Sequence, residues 1–188
     1  MTDINYKITF FSEWHAGSGL TSGSDLDALV IKSKDGLPFI PGKTLKGLLK
    51  EAAYEITRFN AGMQTDFINI IFGDANDLSK STIGLCHFTN AELDIFLQCE
   101  ISKEQLAPLF YREISSTSIL EGGTAKPHSL RKMEVTIPCV LFARILNVPD
   151  GLEHGIKDCF QWVKRLGQNR HRGLGRCKFE FISEGGMI

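Results

Sequence analysis

The chain has 188 residues, 43% of them hydrophobic, which suffices for one sizeable core, and it reads as a single domain over 1–188. A formal net charge of −1 and a pI near 6.5 exclude a globally basic coat, so any nucleic-acid contact must come from a local patch. Five scattered cysteines without Cys-x-x-Cys or paired histidines argue against zinc, their odd number with no signal-peptide pattern points to reduced thiols in a cytoplasm, and no run of about eighteen apolar residues offers a membrane span.

The segment from Ile4 to Phe11 alternates, with Ile4, Tyr6, Ile8 and Phe10 on one face, and predicts a first strand. His15 to Asp25 is rich in glycine, serine and threonine and reads as a loop. Its Gly17-Ser-Gly19-Leu-Thr-Ser-Gly23 run imitates a dinucleotide fingerprint but has three residues, not two, between its last glycines. Leu29 to Ile31 resumes a strand, and the Asp35-Gly36 turn signal makes 28–40 a hairpin.

Phe39-Ile-Pro-Gly-Lys-Thr-Leu-Lys-Gly47 then passes from a strand end to a helix start. Thr44 is the expected N-cap, and Lys43, Lys46 and Lys50 recur at helical spacing. Free backbone N–H groups, the helix dipole and these lysines together favour phosphate. A Walker A loop is excluded, because five residues separate Gly36 from Gly42 and two of them are prolines that cannot donate to phosphate.

From Thr44 to about Asn60, Leu45, Leu48, Leu49, Ala52, Ala53 and Ile56 form an apolar helical stripe. Phe67 to Phe72 predicts a short helix stopped by Gly73, and Ile83 to Thr89 a strand that Asn90 to Phe96 continues or leaves. Residues 111–132 are polar and glycine-containing, an excursion from the core, before a strand from Met133 to Ile145. Leu152 to about Leu166 is a second amphipathic helix, 167–175 a loop, and Cys177 to Ile182 a last strand. Strand, helix, strand, then strand, helix, strand is the ferredoxin-like arrangement, an α+β fold.

The second basic stretch is Gly167-Gln-Asn-Arg-His-Arg-Gly-Leu-Gly-Arg176. It combines glycines that admit close backbone approach with Arg170, Arg172 and Arg176, which suit bidentate phosphate contacts. A solvated helix end followed by a glycine-rich turn is the bland alternative.

His15-Ala-Gly-Ser-Gly19, Leu26-Asp-Ala-Leu-Val-Ile31, Gly36 through Gly47 and Arg172-Gly-Leu-Gly-Arg176, taken in order, resemble the RAMP superfamily of CRISPR-associated proteins, most of all the repeated backbone subunit of type III effector complexes. The resemblance implies a modified ferredoxin-like, RRM-like domain with 111–132 as a thumb-like insertion. The partners it implies are CRISPR guide RNA, complementary target RNA, other CRISPR-associated subunits and copies of the chain itself, without membrane contact, in antiviral defence. Cleaving members of the family use a loop aspartate with a divalent metal, and its position maps to Asp27, as catalytic residue and as ligand of Mg²⁺. Non-catalytic structural subunits occur in the same superfamily. His15 is then an RNA contact beside Lys43, Lys46, Lys50, Arg170, Arg172 and Arg176. A packed histidine beside Trp14 and a turn-making Asp27 are the structural alternatives, and Asp25 is the neighbouring carboxylate that competes with Asp27 for the role.

Overall fold

In the computed structural model of the chain, which describes residues 1–21, 26–59, 65–74 and 82–182, the first alternating segment forms β1 (Thr2–Phe10). Ile4, Tyr6, Ile8 and Phe10 all point into the core, as the alternation predicts. β1 lies between two antiparallel partners, β7 (Val140–Val148) and β8 (Cys177–Phe181), and β7 in turn pairs with β4 (His87–Phe88), giving the order β4-β7-β1-β8. Two helices, α1 (Gly42–Phe59) and α4 (Glu153–Trp162), bury Leu45, Leu49, Ala52, Ala53 and Ile56 and Ile156, Cys159 and Phe160 in the same hydrophobic core. Phe160 packs on Tyr6 with ring centroids 4.8 Å apart. The succession β1-α1-β4-β7-α4-β8 and this strand order are ferredoxin-like.

Around this frame stand α2 (Thr65–Phe72), the small pair β2 (Gly73–Asp74) and β3 (Thr82–Ile83), α3 (Ile95–Lys103) and a hairpin of β5 (Tyr111–Ser116) and β6 (Arg131–Thr136). The polar excursion is thus a two-stranded projection, paired from Tyr111–Thr136 to Ser116–Arg131, with exposed residues at its tip.

Several expectations need correction. The strand expected over 133–145 is two strands in two sheets, because Pro138 interrupts it between β6 and β7. Of the segment 83–89, only Ile83, at the end of β3, and residues 87–88 pair as strands. Helix α4 ends at Trp162, where Val163 turns extended. α1 begins at Gly42, two residues before the expected cap: Asn90 Oδ1 accepts from the Gly42 N–H at 3.0 Å, and the Thr44 N–H donates to the Pro41 carbonyl at 2.9 Å. α3 was not expected at all. Asp94 caps it, its carboxylate accepting from the N–H groups of Phe96 and Leu97.

Candidate nucleic-acid interface

The start of α1 is set by contact between backbones. A Cβ on Gly42 would fall 2.0 Å from the Phe88 carbonyl oxygen, so glycine is required where the helix crosses the chain leaving β4. Beyond it Lys43 is exposed and Lys46 half-buried, and among the described residues neither side chain has a carboxylate partner. Lys46 lies close enough to Cys86 to offset part of the effect of burial, which pushes that thiol up to about 11. Lys50 is already engaged: its ammonium donates to the Gly73 carbonyl at 2.6 Å, closing the end of α2, and lies over the Tyr54 ring.

The glycine-rich loop is clasped by the chain's own backbone. The Gln168 N–H donates to the His15 carbonyl at 2.9 Å, and the Gly175 N–H to the Glu13 carbonyl at 2.7 Å. A Cβ at Gly175, where φ is +69°, would stand 1.9 Å from the Leu166 carbonyl oxygen. This glycine serves internal packing, not ligand approach. The arginines, by contrast, project outward. Arg172 and Arg176 are exposed, and the Arg176 guanidinium rests 5.5 Å from the Phe11 ring centroid. Arg170 pairs with Glu51 on α1 at 3.2 Å, while its carbonyl accepts from Arg165 at 2.7 Å. The loop therefore presents two arginines without ion-pair partners among the described residues and spends the third on holding itself against α1.

His15 does not reach a surface. It is fully buried, its Nδ1–H donates to the Glu134 carbonyl at 2.7 Å, and its Nε2 has no partner among the described residues. Direct contact with RNA is corrected accordingly: the packed alternative describes its position.

Asp27 is exposed beside the outer end of the β5–β6 ladder, next to Lys132, which pairs with Ser115. Its N–H donates to the Lys132 carbonyl at 2.9 Å, and its Oδ2 accepts from the Lys132 N–H at 2.8 Å, which fixes the carboxylate against β6. The next turn of this tie is Glu134, whose side chain bonds Lys32 Nζ at 2.7 Å and accepts from the Val30 N–H at 3.1 Å. Lys32 also lies 4.0 Å from the Tyr111 ring centroid, and burial pushes that phenol above its ordinary range. Asp25 lies outside the described residues. Among the described residues no three His, Cys, Asp or Glu side chains cluster as a metal site. Asp27 offers a carboxylate oxygen outside its bond to β6, a hard donor of the kind Mg²⁺ combines with substrate phosphate and water. That donor set fits an ion shared with RNA and does not fit one held by protein alone.

Sequence reasoning missed two features. The Lys32–Glu134 pair joins residues distant in sequence and carries no local signal. A groove of about 1470 Å³ is lined by Lys43, His87, Phe96, Phe142 and Arg144 among others. The outward alternation of Phe142 and Arg144 was the clue to it.

A ferredoxin-like sheet that carries a projecting hairpin and a clasped, arginine-bearing glycine loop defines an RRM-like domain with an insertion between its third and second structural strands, β7 and β4. The RAMP superfamily model matches residues 7–178, and the chain belongs to that superfamily. Among solved structures it is similar over 96% of its length to a chain of the Type III-B Cmr-beta bound to cognate target RNA, with 97% of that chain covered, a TM-score of 0.73 and 11% identity. It is also similar to a chain of Type III-B Cmr-beta in the apo state, with a TM-score of 0.69, 12% identity and coverage of 97% and 98% of the two chains. These likenesses establish the fold. No curated protein gives a significant match.

Proposed function

We propose that the chain is an RNA-binding backbone subunit of a type III CRISPR interference complex, holding guide RNA and cutting guide-complementary target RNA. The observation that carries the proposal is the pair Arg172 and Arg176, exposed and without ion-pair partners among the described residues, on a loop clasped at both ends in a RAMP-superfamily chain. A rigid loop loses little entropy on presenting guanidinium forks to phosphate. Lys43 and Lys46 add cations at the start of α1. The target RNA named for the matched Cmr-beta structure supports the choice of ligand. Arg170 and Lys50 act through their internal bonds, positioning the loop and α2.

In this reading 1–188 is one domain, the β5–β6 hairpin is the thumb, and neighbouring copies and other CRISPR subunits complete the assembly. Asp27, beside Lys132 on the hairpin, would be the residue to hold Mg²⁺. When bound, the ion supplies Lewis-acid stabilisation of a phosphoryl oxygen. The bond from the Lys132 N–H keeps the carboxylate oriented, and Lys32 and the Val30 N–H engage the Glu134 carboxylate internally.

A second reading, a non-catalytic structural subunit, draws on the same bond, because an aspartate that caps β6 has a structural reason to be present. The assembled complex, incubated with labelled complementary RNA and Mg²⁺, separates the two. Loss of cleavage in Asp27→Ala but not in Asp25→Ala supports catalysis, and cleavage intact in both leaves only the structural role. RNA affinity unchanged after combined Lys46→Ala and Arg172→Ala would refute the binding proposal.

A further inference from the structure

Glu134, on β6, is an acid only 9% exposed, a rare position for a carboxylate unless its oxygens are engaged. Its Oε1 accepts from Lys32 Nζ at 2.7 Å and its Oε2 from the Val30 N–H at 3.1 Å. Its own N–H donates to the Ala28 carbonyl at 3.0 Å, a third bond to the segment that begins with Asp27. Its carbonyl accepts from His15 Nδ1–H at 2.7 Å, and the His15 carbonyl accepts in turn from the Gln168 N–H at 2.9 Å, at the entry to the arginine loop. Through one side chain and its peptide groups, the loop that carries Arg172 and Arg176 is joined to the segment that carries Asp27.

In the proposed function these two parts have separate duties: the loop holds RNA, and Asp27 is the carboxylate that would hold Mg²⁺. They also belong to separate frames. Asp27 is bonded to β6, which with β5 forms a sheet of its own, while the loop leads into β8 of the main sheet. The placement of the carboxylate against RNA held by the loop is therefore set by whatever joins the two frames, and a misplacement of about 1 Å costs about a hundredfold in rate. With both oxygens engaged and nearly buried, the Glu134 side chain acts through Asp27 and not on the RNA. We infer that Glu134 is a positioning residue for cleavage, fixing Asp27 relative to the arginine loop through Val30, Lys32 and His15. The inference rests on the proposed cutting of target RNA.

The test titrates Mg²⁺ into the assembled complex with saturating labelled complementary RNA and compares Glu134→Ala, Glu134→Gln and Asp27→Ala, well below their melting temperatures. Glu134→Ala is expected to slow cleavage by about ten- to a hundredfold and to raise the Mg²⁺ concentration for half-maximal rate, with RNA affinity unchanged. Glu134→Gln keeps an acceptor for the Val30 N–H and is expected to recover most of the loss. A variant that is merely less folded would lower the fraction of complex that reacts and leave the Mg²⁺ midpoint where it was, and that outcome overturns the inference. Hydrogen exchange of the full chain without Mg²⁺ or RNA is the second readout: residues 27–32 are expected to exchange faster in Glu134→Ala, with α1 and β8 unchanged. Unchanged exchange over 27–32 also overturns it. Cleavage lost in Asp27→Ala but normal in Glu134→Ala overturns the positioning role and leaves the proposed function standing. A slow Glu134→Ala beside a normal Asp27→Ala overturns it as well, since Asp27 then has no part in the cut. Absence of cleavage by the wild-type complex overturns the cutting function and this inference together.

Discussion

Replacing Gly42 with alanine sets two effects of opposite sign against each other. Within a helix, alanine is favoured over glycine by about 0.5–1 kcal/mol. At this position the new Cβ would sit 2.0 Å from the Phe88 oxygen and 2.9 Å from that of Thr89, where ordinary contact begins at 3.4 Å. The obstacle is backbone on both counts and cannot rotate away, so the helix start or the Phe88 peptide must move by well over an ångström. Phe88 is paired with Ile145 and Asn90 caps Gly42, so the movement strains a strand pairing and a cap together. Overpacking of about 1–3 kcal/mol and a weakened cap of about 1 kcal/mol outweigh the propensity gain, leaving a net loss of about 2–3 kcal/mol. For a chain of this length that lowers Tm by about 5–10 °C. Gly47, in the same helix with nothing within 4 Å of its Cβ position, is the control: Gly47→Ala is expected to raise Tm by about 1–4 °C. Thermal melting followed by far-UV circular dichroism reads both. A Gly42→Ala chain that melts at or above the wild type refutes the steric reasoning.

Other outcomes follow from single contacts. Asp94→Ala removes the cap of α3 and is expected to cost about 1 kcal/mol, with faster hydrogen exchange over 95–98 and little change in α1. Glu134→Ala leaves Lys32 and the Val30 N–H without their partner, and urea denaturation is expected to show a loss of about 2 kcal/mol, larger than that of the exposed pair Arg144–Asp3. Burial pushes the thiol of Cys86 up to about 11 and those of Cys139, Cys159 and Cys177 up to about 12, from an ordinary 9.0. The folded chain then holds more thiol protons than the unfolded one at alkaline pH. Their contribution to stability is complete below pH 9 and declines as pH rises through 11 to 12. Urea midpoints at pH 8 and pH 10.5 check the sign. At pH 8 the exposed Cys99 is expected to be the first thiol labelled by an aromatic disulfide reagent.

The frame of the fold was legible where one periodicity dominated a long segment. Alternation in β1 named its buried face, and the stripe from Leu45 to Ile56 gave α1 to within two residues. The order of those elements was enough for the ferredoxin-like topology. Legibility failed where pairing depends on distant chain. β3 and β4 are two residues each and exist through β2 and β7, while α3 begins with Ile95 and Phe96 facing outward and so lacks a clean apolar stripe. Pro138 was a visible signal that the long apolar run past it concealed. For the candidate site, exposure of Lys43, Arg172 and Arg176 followed from their glycine-rich and helix-start settings. The burial of His15 did not, because it depends on the loop at 167–175 closing over it from the far end of the sequence.

That closure has a consequence for how the protein is made. β1 is the strand on which the sheet is assembled, yet its first hydrogen-bonded partner lies in β7, with Thr9 opposite Val140, and its second in β8. On the ribosome, at 5–20 residues per second, β1 must wait about ten seconds with Ile4, Tyr6, Ile8 and Phe10 uncovered before a partner strand emerges. High contact order of this kind makes folding slow and leaves an adhesive edge open during synthesis. A nascent chain arrested after α3 would therefore be protease-sensitive and a natural client for holding chaperones, and native protection of β1 would appear only once the last loop has cleared the exit tunnel.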